Sequence, residues 1–511
     1  MKKPFIIHPF LFAFFPILFL FSHNIEQLAF SEILMPTIIV MCFTIFSVFL
    51  LRWVIGDIQK SGIIVSFFLI LFFSYGPVLV QLQKIEFLQF IRHRYLLLFW
   101  VVIFFFCAFF TIKTYRKLRN LSDFLNIIAV FLVIISLVNI GIYELKKSAT
   151  WQKSKSIGVN KSATIDLEKT DELRDIYYII LDGYANSGIL KEVYGYDNHE
   201  FIDYLTEKGF YIAPESRSNY GSTFLSLASS LNMEYINYLA DIVGTSSTDR
   251  SIPYQMIEFN KVADFLKSRG YKFVHFGSSW GPTQNNSLAN LSFDFSIENE
   301  FRMQLIQMTV LRVFESRFGF IKADARNQIL RTFSKLAEVH KINEPIFVFA
   351  HIISPHPPYL FGANGEPVPE TSLEMDGDIW EEKNKYLDQL AFINKKVKIL
   401  VEKILSSSEI PPIIILQADH GSASLFSSSD GGGWDDPTEE MINERMKIFN
   451  AYYLPNGGGD TLYNSITPVN TFRLIFDFYF RADSYELFGD QSYYSTYGRP
   501  YNFIDISGKI H

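Results

Sequence analysis

The apolar positions of this chain follow two regimes. Between residues 5 and 143 they come in long runs, at roughly 5–22, 33–55, 62–82, 95–112 and 125–143. Each run approaches the ~20 apolar residues a helix needs to cross a bilayer, so five transmembrane helices are predicted. Pro36, Gly62 and Pro77 fall inside runs, which membrane helices tolerate. The first run lacks a small-residue cleavage site and is followed by further spans, so it reads as an anchor rather than a removable signal. Residues 146–172 turn polar, with Lys, Ser, Thr and Asp, and read as a tether.

From Asp175 onward short apolar runs alternate with helical periods. Ile176–Leu181, Tyr211–Ala213, Tyr271–Phe276, Ile346–Ile352 and 412–417 read as strands. His199–Lys208 before Gly209, Phe224–Leu231 after Thr223, Asn260–Ser268 before Gly270, and Trp380–Leu405 read as helices. Ser427–Asp436 and Pro455–Asp460 read as loops, the glycine-rich 431–436 as plain surface. Strands alternating with helices predict an α/β domain: a mainly parallel sheet with helices on both faces. The division that follows is a transmembrane region 1–145, a tether 146–174 and a soluble domain 175–511.

Charge sharpens this division. Residues 1–150 carry 13 Lys and Arg against 6 Asp and Glu, whereas the remainder carries 33 against 47. An acidic soluble domain argues against nucleic acid as a partner. With the N-terminus inside, the inner flanks carry Lys2, Lys3, Arg52, Lys60, Lys113, Arg116, Lys117 and Arg119. The first outer loop, 23–32, has no Lys or Arg; the second carries Lys84, Arg92 and Arg94. On balance the positive-inside rule puts the N-terminus in the cytoplasm. Five spans then place the domain outside it, at a cytoplasmic (inner) membrane. The only cysteines, Cys42 and Cys107, lie within apolar runs, so the soluble domain has no disulfide, thiol nucleophile or cysteine-based metal site.

Three predicted strands end in polar groups. Ile176–Leu181 runs into Asp182-Gly183-Tyr184; Ile346–Ile352 carries His351 and leads to Ser354-Pro355-His356-Pro357-Pro358; the strand ending near Gln417 meets Asp419-His420-Gly421. Carboxyl ends of parallel strands lie side by side, so these residues can meet. Two carboxylates with imidazoles suit a divalent cation, which would polarise a phosphoryl or sulfuryl oxygen and activate a hydroxyl. The polar stretch Ser216–Ser222 delivers Thr223 to the start of a helix, where the dipole favours an anion. Taken singly, Asp182-Gly183 reads as a turn, Thr223 as a helix cap and His356 as a rigid loop residue. His351 reads as packing beneath the site, and His275 as a satisfied buried histidine. Asp419-His420 resists such a reading, because an adjacent ionisable pair past a buried strand is costly without a partner.

Asp182-Gly183-Tyr184, Thr223 opening a helix, His356 in a proline-rich loop and Asp419-His420-Gly421 together resemble the alkaline phosphatase/sulfatase superfamily. With the preceding spans, the layout is similar to the membrane-anchored lipoteichoic acid synthase-like and phosphoethanolamine transferase-like branch. The resemblance implies Asp182, Thr223, Asp419 and His420 as ligands of one divalent metal ion (Mn, Mg or Zn). It implies Thr223 as nucleophile, His356 as a phosphate-binding or leaving-group residue, and Trp280 as a substrate contact. Membrane lipid or a lipid-linked donor, and an envelope glycan or lipid acceptor, would be the partners; no protein partner is indicated. Two departures stand out. Asp182 occupies a position where the anchored branch carries Glu, and no Cys/Ser-x-Pro-x-Arg motif is present, which argues against sulfuric ester hydrolysis. The only histidine after His420 is His511, so one full metal site is expected. The implied activity is metal-dependent hydrolysis or transfer at phosphodiester head groups of phosphoglycerol or phosphoethanolamine type. The alternative is a catalytically silent envelope binding or scaffold protein. Lipid transport by the spans themselves is disfavoured by their near lack of ionisable residues.

Overall fold

Five helices precede the first strand in the computed structural model. It describes all residues except 1–4, 26–27, 29, 84, 86–92, 116–117, 157–172, 296–299, 318, 369–377, 427–432, 483–484 and 511. The helices are α1 (His8–His23), α2 (Leu34–Ile55), α3 (Ile58–Gln83), α4 (His93–Lys113) and α5 (Arg119–Ser156). The last four are long and apolar enough to cross a membrane; α1 is apolar but has 16 residues. Helix α5 runs on into the expected tether, because no Gly or Pro interrupts residues 142–156. The rest of the tether that was expected to be irregular, 157–172, lies outside the described residues.

By their contacts these helices form one unit, Met1–Ala149, which also contains Glu298–Phe320. Within it α3 is the most enclosed span, whereas α2, α4 and α5 leave most of their apolar side chains exposed, as lipid-facing helices do. The buried His8 ring bridges Ser66 and Ser122, at 2.6 and 3.0 Å, and the Asn126 carboxamide oxygen accepts the Ile7 and His8 N–H groups. A second entry of the chain comes from the helix Glu300–Met308 and the 3-10 turn Val310–Arg317. Phe301 and Leu305 pack into the core formed by Ile17, Phe21, Leu69 and Phe73, and Val313 lies against that of Tyr75 and Leu79. The sequence placed this stretch in the soluble domain.

The second unit, Thr150–Ile297 with Ile321–His511, is built on a seven-stranded sheet. Its strands are β1 (Ile176–Leu181), β2 (Tyr211–Ile212), β3 (Lys272–Phe276), β4 (Leu291–Phe293), β5 (Ile346–Ile352), β6 (Ile413–Gln417) and β7 (Asn450–Tyr453), in the order β2-β7-β6-β1-β5-β3-β4. All pairings from β6 to β4 are parallel, while β7 runs antiparallel to both β6 and β2. A separate hairpin joins β8 (Tyr493–Thr496) and β9 (Arg499–Asp505). Every β1 side chain is buried. Tyr177, Ile179 and Leu181 enter one core, with the helix Lys383–Ser407; Ile176, Tyr178 and Ile180 enter the other, with the helices Thr223–Asn232 and Pro468–Phe480. This is the two-sided burial expected of a central parallel strand.

Candidate metal and nucleophile site

The parallel register sets the site. Ile180 lies opposite both His351 and Gln417, so the chain leaves β1 and β6 at the same level, and Asp182 and Asp419 emerge as neighbours. The Asp182 N–H donates to the Ile352 carbonyl, and the Asp182 carbonyl accepts from His356 N–H at 3.0 Å, drawing the proline-rich loop over the strand ends. The Gly183 N–H donates to Asp419 Oδ1 at 3.2 Å. The Asp419 carbonyl accepts from Ser218 and Ser226, which pins the loop before the helix Thr223–Asn232 to the same point. Thr223, the first residue of that helix, therefore reaches His420, with Oγ1 3.0 Å from Nε2.

Asp182, Asp419, His420, His351 and His356 are all buried. His420 Nδ1 lies 2.9 Å from the Gly421 carbonyl, which can only accept. The neutral ring thus carries its proton on Nδ1 and turns a lone pair at Nε2 toward Thr223. Asp182 Oδ1 lies 3.6 Å and Asp419 Oδ2 3.3 Å from that lone pair, and neither oxygen has a hydrogen-bond partner. Burial, with the nearby Arg445 charge, holds the His420 pKa well below its usual value, so the ring stays neutral. Burial and the Asp182 charge push Asp419 up to about 6. Burial also acts to raise Asp182, but the imidazoles of His356 and His351 outweigh it and hold this carboxyl below the usual range. Two unpartnered carboxylate oxygens set against the same imidazole lone pair repel it and each other, and a cation among them would relieve this. The donor set, with the Thr223 hydroxyl beside it, fits a divalent metal of borderline hardness.

His351 donates from Nε2 to Asp182 Oδ2 at 3.1 Å and accepts at Nδ1 from the Thr283 hydroxyl at 2.9 Å, an arrangement that orients the carboxylate. The His356 Nδ1–H donates to the Pro357 carbonyl, and the ring stands on Trp380 and 5.9 Å from the His420 ring. One ligand-type atom from each of Asp182, His356 and His420 lies within 4.8 Å of the others, as in the group Asp182, His351 and Asp419. Trp280 packs edge-on against His351 and Tyr254, at 5.7 and 5.8 Å. His275 is buried, as expected, but its Nδ1 has no hydrogen-bond partner; burial pushes its pKa down to about 4 and the ring stays neutral. Trp434, in a segment expected to be plain surface, packs on Phe426 and on the Arg445 guanidinium. Sequence reasoning missed Trp380 and Arg445, since neither stands in a motif that points to the strand ends.

A family model described as Sulfatase matches residues 174–472. No curated relative matches the sequence. Among solved structures, the chain is similar to the C-terminal periplasmic domain of EcEptC from Escherichia coli, at 13% identity and TM-score 0.45 over 67% of this chain and 95% of that one. The same domain in complex with Zn gives 12% and 0.45 over 66% and 94%. The integral membrane lipooligosaccharide phosphoethanolamine transferase A (EptA) from Neisseria meningitidis gives 13% and 0.38 over 91% and 94%.

Proposed function

Since the chain belongs to the sulfatase family, we propose that it is a membrane-bound, metal-dependent phosphodiester hydrolase or transferase with Thr223 as nucleophile. The observation that carries this reading is the convergence of Asp182 Oδ1 and Asp419 Oδ2, both buried without a hydrogen-bond partner, on His420 Nε2, which the Thr223 hydroxyl also meets at 3.0 Å. Asp182, Thr223, Asp419 and His420 would hold the metal. When bound, it would supply positive charge to a phosphoryl oxygen and to the Thr223 oxygen.

The residues divide the remaining work. With its Nδ1–H held by the Gly421 carbonyl, His420 has only Nε2 to offer the metal, so the Thr223 proton leaves to solvent water, and the start of the helix Thr223–Asn232 favours the resulting negative charge. Thr223 Oγ1 attacks phosphorus, the bond to the leaving alcohol breaks, and that oxygen takes up a proton. His356, with Nδ1–H committed to Pro357, turns Nε2 to the site, where it would bind a phosphoryl oxygen and give that proton when the ring carries a proton on both nitrogens. Water or a second alcohol then attacks the phosphothreonine, releases its proton, and frees Thr223. Trp280 and His356 would contact the head group.

The same reading takes residues 1–145 as the anchor and 175–511 as the catalytic domain. With α1 crossing as the fifth span, the domain stands outside a bacterial cytoplasmic membrane. A phosphoglycerol or phosphoethanolamine head group on a membrane lipid would be the donor, and an envelope glycan or lipid the acceptor. The missing Cys/Ser-x-Pro-x-Arg motif disfavours sulfuric ester hydrolysis despite the family's name.

The test is metal content and turnover of a chromogenic phosphodiester by the full chain in detergent, with mass spectrometry of the Thr223 peptide. Thr223→Ala is expected to lower kcat by ~10³-fold or more and to abolish phosphate on that peptide. A folded wild type with neither metal nor turnover would favour the silent binding module.

A further inference from the structure

We propose that Arg445 is a positioning residue that holds the nucleophile loop and the metal-ligand loop in register; the inference deepens the reading of Thr223, Asp419 and His420 given above. Arg445 closes the helix Glu439–Met446, 24 residues beyond Gly421, and is buried. Its guanidinium makes two bonds that diverge. Nε donates to the Gly221 carbonyl at 2.8 Å, two residues before Thr223, and Nη1 donates to the Gly421 carbonyl at 3.2 Å, one residue after His420. The Gly421 carbonyl also accepts the His420 Nδ1–H. One planar group thus fixes the acceptor that sets the His420 tautomer and the loop that delivers Thr223.

The backbone around Arg445 makes the same connections. Its carbonyl accepts from Gly421 N–H at 2.7 Å, the Met446 carbonyl from Ser218 N–H at 2.7 Å, and the Lys447 carbonyl from Asn186 N–H at 3.2 Å. A Cβ on Gly421 would lie 2.1 Å from the Glu444 carbonyl oxygen and 3.0 Å from that of Arg445, so the metal-ligand loop lies flat on this segment. The ring faces of Trp380 and Trp434, at 5.9 and 5.2 Å, flank the guanidinium. Trp380 in turn packs against His356. A lysine ammonium is a single point charge and lacks the rigid fork that reaches two carbonyls in different directions.

The experiment compares wild type, Arg445→Met and Arg445→Lys as full chains in detergent, by hydrogen exchange of the 216–224 and 418–425 backbones, Mn²⁺ affinity, and the kcat and KM of phosphodiester cleavage. Arg445→Met is expected to speed exchange by about tenfold or more in both segments together. Mn²⁺ affinity and kcat are expected to fall by about 10–100-fold, with KM little changed. Arg445→Lys should fall between, protecting one segment better than the other. Wild-type exchange in either segment of Arg445→Met would overturn the proposal. So would loosening of both segments with unchanged Mn²⁺ affinity and kcat in a chain whose wild type binds and turns over. If the Met variant does not fold, the Lys variant decides: wild-type protection and affinity throughout would overturn the proposal. If wild type binds no Mn²⁺ and turns nothing over, the function proposed above fails, while the exchange comparison still decides the role of Arg445.

Discussion

Two buried polar clusters, one in each unit, show opposite designs. In the membrane unit both His8 ring nitrogens meet serine hydroxyls, and the neighbouring helix start is capped by Asn126. In the soluble unit Asp182 Oδ1 and Asp419 Oδ2 are buried without donors and face the lone pair of His420. The first cluster satisfies itself and ties α1, α3 and α5 together. The second sets two unpartnered carboxylate oxygens against an imidazole nitrogen, the donor set of a divalent-cation site. Burying polar groups therefore does not mark function by itself; burying acceptors against acceptors does.

The largest effect that could break this comparison lies at Asp419. Asp419→Asn replaces one carboxylate oxygen with an amide able to donate to His420 Nε2. Metal affinity is expected to fall by ~10³-fold, while the metal-free protein gains about 1–2 kcal/mol. Equilibrium dialysis and thermal unfolding in chelator check both; a loss of stability in chelator would show that the carboxylates are not repelling one another.

Gly76 sharpens the membrane side. A Cβ there would lie 2.0 Å from the Gln307 carbonyl oxygen, so Gly76→Leu must displace the helix Glu300–Met308. A cost of about 3 kcal/mol is expected, with faster proteolysis around residue 307 and unchanged metal binding. Resistance to protease equal to wild type would mean that this close approach is not kept in the membrane.

Asp175, at the entry to β1, contrasts a half-buried acid outside the site with the buried ones inside it. Burial pushes its pKa up to about 6, against a bond from Ile346 N–H. A folded pKa above the unfolded one means stability that is fully present below about pH 4 and lost as pH rises through 6. The contribution lost is about 3 kcal/mol. Asp175→Asn should flatten the stability profile between pH 4 and 6, which chemical denaturation measures; an unchanged slope would place the titration elsewhere.

The smallest effect is expected at His8. His8→Ala leaves Ser66 and Ser122 without the ring, at about 1 kcal/mol of membrane-unit stability, and leaves metal affinity untouched. A parallel loss of metal binding would end the separation of the two clusters.

Much of this was legible in the chain. Four of the five apolar runs became long spans, since length and hydropathy decide insertion locally. The strands Ile176–Leu181 and Ile346–Ile352 formed with the bounds expected, because side chains buried on both faces leave continuous apolar runs. Asp182, Asp419 and His420 stand just past such runs, His356 lies in the loop after one, and Thr223 opens a helix; their meeting at the strand ends was expected from the parallel pairing. The short strands β4 and β7 were not read, nor the hairpin β8–β9, as their pairing comes from neighbours rather than from pattern.

What the sequence determined alone was the division into an apolar half and an α/β half, and the set of polar residues at the strand ends. Both follow from local periodicity, which acts within a few residues of itself. Only the tertiary structure decided that Glu300–Met308 joins the membrane helices, that Trp280 lies on His351, and that Arg445 bridges Gly221 and Gly421. The facing lone pairs of Asp182, Asp419 and His420 were likewise settled there. Each depends on the register of strands far apart in the chain and on which ring nitrogen a distant carbonyl claims, and neither leaves a mark in local composition.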